Sequence, residues 1–307
     1  MFRLAHCSDP HLHVDVPAPS LSDRFSKRAL SRLSWARGRS ALQRPEVLAA
    51  AVADIRAHAL DHWLVSGDIT NFSLPSEFVA AARWLEALGP ADAVTVVPGN
   101  HDALVPMPAA DGWDHWQPWL RGDDGATGFP FVRIRGDVAL IGLSSAIPTP
   151  PGFASGELGA EQLLALEARL VDLGQRGFAR IVTLHHPPAE GVVTARKALV
   201  DRSAFRAVLA RTGAELVLHG HSRDARFDPL RGPQGLIPVL GVPSISAIPN
   251  PKDEGARWNL IEIERTVRGW HLAVHARRWQ PQDQRFAAAG SYRLLLPASG
   301  AANGVTG

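Results

Sequence analysis

The chain has 307 residues, 46% of them hydrophobic and 20% charged, the balance of a globular protein of one large domain or two smaller ones. A formal charge of +2 is too small to point to a nucleic-acid partner, and a single cysteine, Cys7, excludes an intrachain disulfide. No apolar stretch is long enough for a signal segment or a membrane span, so the protein reads as cytoplasmic.

In chain order, a short apolar run from Phe2 to Ala5 stops at His6-Cys7-Ser8-Asp9. After Pro45, the residues Val47, Leu48, Ala51, Val52, Ile55 and Leu60 recur near helical spacing. "HWLVSGD" (62–68) reads as a buried strand, "PSEFVAAARWLEALG" (75–89) as a helix ending at its glycine, and "AVTVVPGNHD" (93–102) as a strand entering a loop. This βαβα order predicts an α/β layered fold. "FVRIRGDVALIGLSS" (131–145) reads as a hairpin turning at Gly136-Asp137. Helices at 159–173 and 201–211 flank the strand "ARIVTLHHPP" (179–188) and precede the run "ELVLHGHSRDAR" (215–226). Three alternating segments, "GLIPVLGVPSIS", "RWNLIEIER" and "GWHLAVHARRW", read as antiparallel strands. The expected organisation is one domain over 1–280 and an extension over 281–307 whose last residues, ASGAANGVTG, are disordered.

Residues 17–44 stand apart. Arg24, Lys27, Arg28, Arg32, Arg37, Arg39 and Arg44 meet almost no acid there, and Phe25, Leu30, Leu33 and Trp35 are interleaved among them. The segment reads either as a surface helix packing its apolar side on the body or as a basic amphipathic element for an anionic lipid surface or an acidic ligand.

Polar residues with metal-ligand chemistry follow each apolar run: Asp9-Pro-His11, Gly67-Asp68, Gly99-Asn100-His101-Asp102, His185-His186 and His219-Gly-His221. A single Asp or His after a strand is usually a cap. Five in succession at strand ends, where open α/β sheets place their ligand sites, point to a shared centre. One carboxylate can bridge two divalent ions, while imidazoles and an amide oxygen complete the shells without adding charge. Such a pair, ~3.5–4 Å apart, holds the attacking and leaving oxygens of a displacement at phosphorus, and a histidine outside the shells can protonate the leaving group.

These pieces ("DPH", "GD", "GNHD", "HHPP", "HGHSR", over residues 9–223) resemble the calcineurin-like metallophosphoesterase family, whose motif runs D-x-H, GD, GNH[DE], H and GHxH. "SDPHL" and "LHHPP" look most like the bacterial branch of cyclic-nucleotide and glycerophosphodiester phosphodiesterases. The resemblance implies a four-layer αββα sandwich. By it, Asp9 and His11 bind a first metal, Asp68 bridges both, and Asn100 and His185 bind the second. His101 becomes the leaving-group acid and Asp102 its orienting partner. His185 is preferred to His186 because it follows the strand directly, leaving His186 behind the ligand or on the substrate side. His6, His13 and His115 match no motif position.

The last motif departs from the family. Aligned on Gly220, His221 becomes a second-metal ligand and Arg223 falls where the first metal expects histidine. Aligned on histidine spacing, His219 and His221 form the pair. The glycine register is favoured, since a glycine before the ligand lets backbone approach the ions. Arg223 cannot coordinate; the expectation is one tight metal, one weaker metal, and Arg223 as a phosphate clamp.

The leading expectation is a phosphodiesterase with one or two divalent ions (Mn²⁺, Fe²⁺ or Zn²⁺), attacking phosphorus with metal-held hydroxide. Its substrate would be a small phosphodiester or nucleotide-type molecule. A second reading is a membrane-peripheral pyrophosphohydrolase of a lipid-linked nucleotide sugar such as UDP-diacylglucosamine, with residues 20–44 at the lipid surface. A third is a non-catalytic scaffold on a degenerate phosphoesterase fold.

Overall fold

Strands that can bury both faces appear in the sequence as continuous apolar runs, and pairing them generates the sheets that carry the site. The structure, a computed structural model, describes residues 1–15, 17–18, 23, 26–251 and 253–297. Arg24, Phe25 and the tail 298–307, expected to be disordered, lie outside the described residues.

The strands run β1 (Phe2–Cys7), β2 (His62–Val65), β3 (Val94–Val96), β4 (Phe131–Arg135), β5 (Val138–Gly142), β6 (Ala179–Thr183) and β7 (Leu216–His219). Four short strands follow, β8 (Arg226–Phe227), β9 (Leu230–Gly232), β10 (Gly235–Ile237) and β11 (Val239–Gly241). The chain then forms β12 (Arg257–Thr266), β13 (Gly269–Gln280) and β14 (Arg285–Pro297). Among the described residues they make two six-stranded sheets, ordered β14-β13-β12-β1-β2-β3 and β4-β5-β6-β7-β11-β8, and a hairpin of β9 and β10. Both sheets are mixed: β1-β2-β3 and β5-β6-β7-β11 are parallel, while β12, β13 and β14 pair antiparallel.

Strand alternation sorts the side chains into layers. Leu4, Leu64, Leu140, Ile181, Leu218 and Ile261 meet between the two sheets. Ala5, Cys7, Trp63 and Val65 face outward beneath the helices Pro45–Arg56 and Pro75–Leu88. Ala139, Val182 and Val217 face the helices Ala160–Gln175 and Arg202–Thr212. This is the four-layer α/β arrangement, helices outside and sheets within. The segment beyond 280, read from the sequence as an extension, contributes β14 as an edge of the first sheet. No helix among the described residues is long and apolar enough to cross a membrane.

The basic segment packs on the body. Its helix, Lys27–Ser34, buries Ser31, whose hydroxyl donates to the carbonyl of Asn71 at 3.0 Å. Arg28 turns inward and donates to the carbonyls of Phe72 and Ser73. Trp35 sits edge-on to Phe72, with ring centres 5.9 Å apart. The two carbonyl bonds withdraw Arg28 from the outward face, while Leu30 and Leu33 remain 50% and 44% exposed.

Candidate metal centre

Each motif lies just past a strand end rather than within the strand. β1 stops before Asp9, β2 before Asp68, β3 before Asn100, β6 before His185 and β7 before His221. The loops are tied to one another by backbone bonds, from Asp9 N–H to Gly67 O at 2.9 Å, His11 N–H to Asp68 O at 3.1 Å and Gly220 N–H to His185 O at 3.1 Å. Seven non-glycine residues among those described have positive φ, and five belong to this cluster: Asp9, His11, Asp68, His221 and Arg223. Each costs roughly 1–3 kcal/mol of backbone strain, which persists where the surroundings over-determine the conformation. Close approach explains the glycines. A Cβ on Gly220 would lie 1.9 Å from Ser8 Oγ and 2.7 Å from Asp9 Oδ2, and one on Gly99 would lie 2.3 Å from Asp68 Oδ1.

Two groups of side chains bring ligand atoms within 4.8 Å of one another: Asp9, His11 and Asp68, and Asp68, His185 and His221. Asp68 is common to both. The rings are oriented from behind. His185 Nδ1 lies 2.7 Å from the carbonyl of Ser66 and His11 Nδ1 lies 3.3 Å from that of Thr70, so each ring donates there and turns the Nε2 lone pair inward. Asn100 Oδ1 and His221 Nε2 are buried with no protein partner, and His185 Nε2 has only the Asp68 carboxylate, at 3.4 Å. An unsatisfied buried polar atom costs about 1–3 kcal/mol, and two of them beside the His185–Asp68 pair fit a cation that would accept their lone pairs. Their mixture of imidazole, amide and carboxylate oxygen suits a divalent transition metal.

The charges agree with that fit. Burial opposes ionisation of Asp68, yet His185, His101 and His11 around it hold its carboxyl well below the usual range. Burial and the neighbouring Asp68 push Asp9 up to about 6. Burial alone would lower His185, but Asp68 and Asp9 outweigh it and raise the ring to about 9. Burial holds His11 and His221 well below the ordinary histidine value. A divalent cation favours the ionised carboxylates and neutral imidazoles that this crowding sets against one another.

A sequence profile of the calcineurin-like phosphoesterase family matches residues 2–223. The chain belongs to the calcineurin-like phosphoesterases. It is therefore a phosphoric ester hydrolase, and the fold implies divalent metal ions. The scaffold reading falls away. Over 231 residues the phosphoesterase is 29% identical to a probable cyclic nucleotide phosphodiesterase of Synechococcus sp., covering 74% of this chain and 81% of the relative. Its fold is shared with a dimetal phosphatase from Danio rerio at a TM-score of 0.56 and 12% identity, over 94% of this chain and 98% of that one. It is shared equally with the purple acid phosphatase PPD1 of yellow lupin, Lupinus luteus, at a TM-score of 0.56 and 12% identity, over 95% of this chain and 53% of that one.

The remaining expected site residues divide. His101 lines the same cavity as the metal cluster, a space of about 220 Å³. Its Nδ1 lies 2.9 Å from the carbonyl of Asn71, which leaves Nε2 for the cavity. Burial and Arg39 lower its pKa to about 4. Asp102, expected to orient His101, does not touch that ring. Its buried carboxylate accepts from the backbone N–H groups of Thr70 at 2.8 Å and Gly99 at 2.9 Å, clamping two motif loops together. His186, expected on the substrate side, has both ring nitrogens engaged, Nδ1 with Ser145 Oγ at 2.8 Å and Nε2 with the Ala154 carbonyl at 3.2 Å. Its ring centre lies 4.6 Å from that of His221, with the planes tilted by 49°. His219 belongs to neither ligand group; it is fully buried, with Nδ1 2.9 Å from the Gly220 carbonyl and its ring where a Cβ on Gly241 would go. Arg223 lines the cavity and reaches Asp253 at 3.6 Å.

Three supporting residues escaped the sequence reading. Glu77 is buried and accepts from the N–H groups of Asn71, Phe72 and Leu74, fixing the loop whose carbonyl orients His101. The glutamate three residues after a helix start was the available signal. Arg39 enters the cavity with Nη2 3.3 Å from His11 Nε2, and Lys197 lines the same space. Neither carries a motif.

Proposed function

We propose that the protein is a phosphodiesterase of small phosphodiester or nucleotide-type substrates. The observation carrying this is the convergence of His185 and His221 on the shared Asp68, with the unpartnered Asn100 Oδ1 in the same buried place. His185, His221, Asn100 and Asp68 would hold one ion, and Asp9, His11 and Asp68 the other. When bound, the ions supply Lewis-acid polarisation of the phosphoryl group and lower the pKa of the attacking water. The protein's own contribution is orientation and proton transfer. The Asn71 carbonyl fixes His101 so that Nε2 can pass a proton to the leaving oxygen as the phosphorus–oxygen bond breaks. An anionic substrate beside His101 stabilises the imidazolium that the free cavity disfavours.

Arg223 in the GHxH position leaves the Asp9–His11 half one donor short, so that half would hold its ion more weakly, with Arg223 gripping a phosphate oxygen. Manganese titration with metal analysis should find one tight and one weaker equivalent; two tight equivalents at all concentrations would refute this. Turnover of bis(p-nitrophenyl) phosphate with added Mn²⁺ should fall about 10²–10⁴-fold in His101→Ala. A screen of cyclic nucleotides, glycerophosphodiesters and UDP-sugars then assigns the leaving group.

One observation favours the membrane-peripheral pyrophosphohydrolase as a second reading: Leu30 and Leu33 stay exposed on the helix beside Arg37. Cosedimentation with anionic vesicles that vanishes in Leu30→Ser/Leu33→Ser supports it; no cosedimentation removes it.

A further inference from the structure

Three cationic side chains that come from separate parts of the chain line the same cavity as the metal cluster: Arg39 from the 17–44 segment, Lys197 from the turn Ala195–Lys197, and Arg223 from the last motif. Neither Arg39 nor Lys197 is paired with a carboxylate among the described residues, while Arg223 has Asp253 at 3.6 Å. The other two carboxylates of the cavity, Asp9 and Asp68, belong to the ligand groups. Once those are given to divalent ions, three cations face Asp253 alone.

The three also oppose one another. Burial lowers the pKa of Lys197, and Arg223 and Arg39 lower it further; burial lowers that of Arg39, with Arg223 adding to the effect. Like charges gathered in a partly enclosed space raise its potential, and the repulsion is relieved when an anion enters. A phosphodiester brings one negative charge to its scissile phosphorus, and the metal cluster already addresses that charge. The unpaired excess asks for more.

Resting on the phosphohydrolase reading above, we infer that Arg39, Lys197 and Arg223 form a subsite for a second phosphate, joined to the scissile one. The substrate class is then a diphosphate derivative, such as a nucleoside diphosphate ester, rather than a cyclic monoanion. Arg39, 3.3 Å from His11 Nε2, forms the side of this subsite next to the metal cluster, where the two phosphates are joined, and Lys197 and Arg223 complete it. Guanidinium forks and an ammonium suit phosphate oxygens.

The test compares two probes on the same nucleoside, adenosine α,β-methylenediphosphate and AMP. Both are measured as inhibitors of bis(p-nitrophenyl) phosphate turnover by the metal-loaded full chain at fixed, saturating free Mn²⁺. The diphosphonate should bind at least ~10-fold more tightly than AMP, a gain of about 1.4 kcal/mol. Lys197→Ala should cut that ratio below about threefold and Lys197→Arg restore it, with melting temperature reporting whether each variant is folded. Arg223→Ala is the second variant and should lower the same ratio. A ratio near one in the wild type, or one that survives Lys197→Ala and Arg223→Ala, overturns the subsite. Absence of bis(p-nitrophenyl) phosphate turnover in the wild type would instead defeat the phosphodiesterase reading itself.

Discussion

The half of the centre around His185 and His221 and the half around Asp9 and His11 share Asp68 but are finished differently. In the first, Asn100 Oδ1 and His221 Nε2 are buried without protein partners, His185 is braced by the Ser66 carbonyl, and the His186 ring packs tilted against His221. In the second, His11 Nε2 has the Arg39 guanidinium at 3.3 Å, Asp9 accepts from Ser8 Oγ at 2.6 Å, and Arg223 stands where the family has histidine. One half is built of lone pairs; the other is edged with cations. Under the proposed function, the difference would let a bimetal scaffold keep its geometry while part of its charge is directed toward the substrate.

The largest test of that asymmetry removes one ligand from each half. His185→Ala should weaken binding of the tight ion by well over ~100-fold, since losing even an outer partner of a ligand costs about 10–100-fold in affinity. His11→Ala should leave the tight ion in place and remove only the weaker one. Metal analysis after dialysis against graded chelator reads both; equal losses would erase the comparison. His186→Ala, which takes away the ring behind His221 and not a ligand, should fall between, at about 10-fold in affinity for the tight ion. Arg223→His restores the family's donor and removes a cation, so affinity for the weaker ion should rise about 10-fold. No rise would mean that Arg223 is not what weakens that half.

How much of this was legible depends on where the information lies. The motifs follow strands, and parallel strands buried on both faces are plain apolar runs, so the gathering of Asp9, His11, Asp68, Asn100, His101 and His185 at one end of the sheets could be anticipated. β14 could not. Its centre is Ala-Ala-Ala-Gly and its outer face is largely exposed, so β13, not its own pattern, specifies the pairing. His101 Nδ1 meets the Asn71 backbone carbonyl, which no side-chain motif records, while Asp102, the residue expected beside it, accepts from the N–H groups of Thr70 and Gly99. The His219–His221 spacing was ambiguous until Gly220 was seen packed against Ser8 and Asp9. Arg39 and Lys197 reach the site only through tertiary packing: the basic segment 17–44 stands out in the sequence without saying which of its arginines turns inward, and Lys197 belongs to a stretch with no motif.

The smallest effect separates the clustered imidazoles from one that lies at the opposite end of β2 from Asp68. His62 is fully buried, with Nε2 2.7 Å from Thr95 Oγ1 and Nδ1 unpartnered. Burial, with Arg135 and Arg133 nearby, lowers its pKa from 6.5 to about 3. The unfolded chain therefore takes up a proton near 6.5 that the folded protein refuses until about 3. His62 thus favours the fold fully above that window, and the advantage shrinks as pH falls through it. Between pH 7.5 and pH 6 the loss should be about 0.8 kcal/mol. With metal saturating, the ligand imidazoles are shielded from this proton uptake and His62 is not. Unfolding free energies of the wild type and His62→Gln, whose amide can keep the Thr95 bond, should differ in their acid sensitivity by about that amount. Identical acid limbs would mean that the clustered imidazoles, not His62, carry the proton uptake, and that bound metal does not separate the two populations.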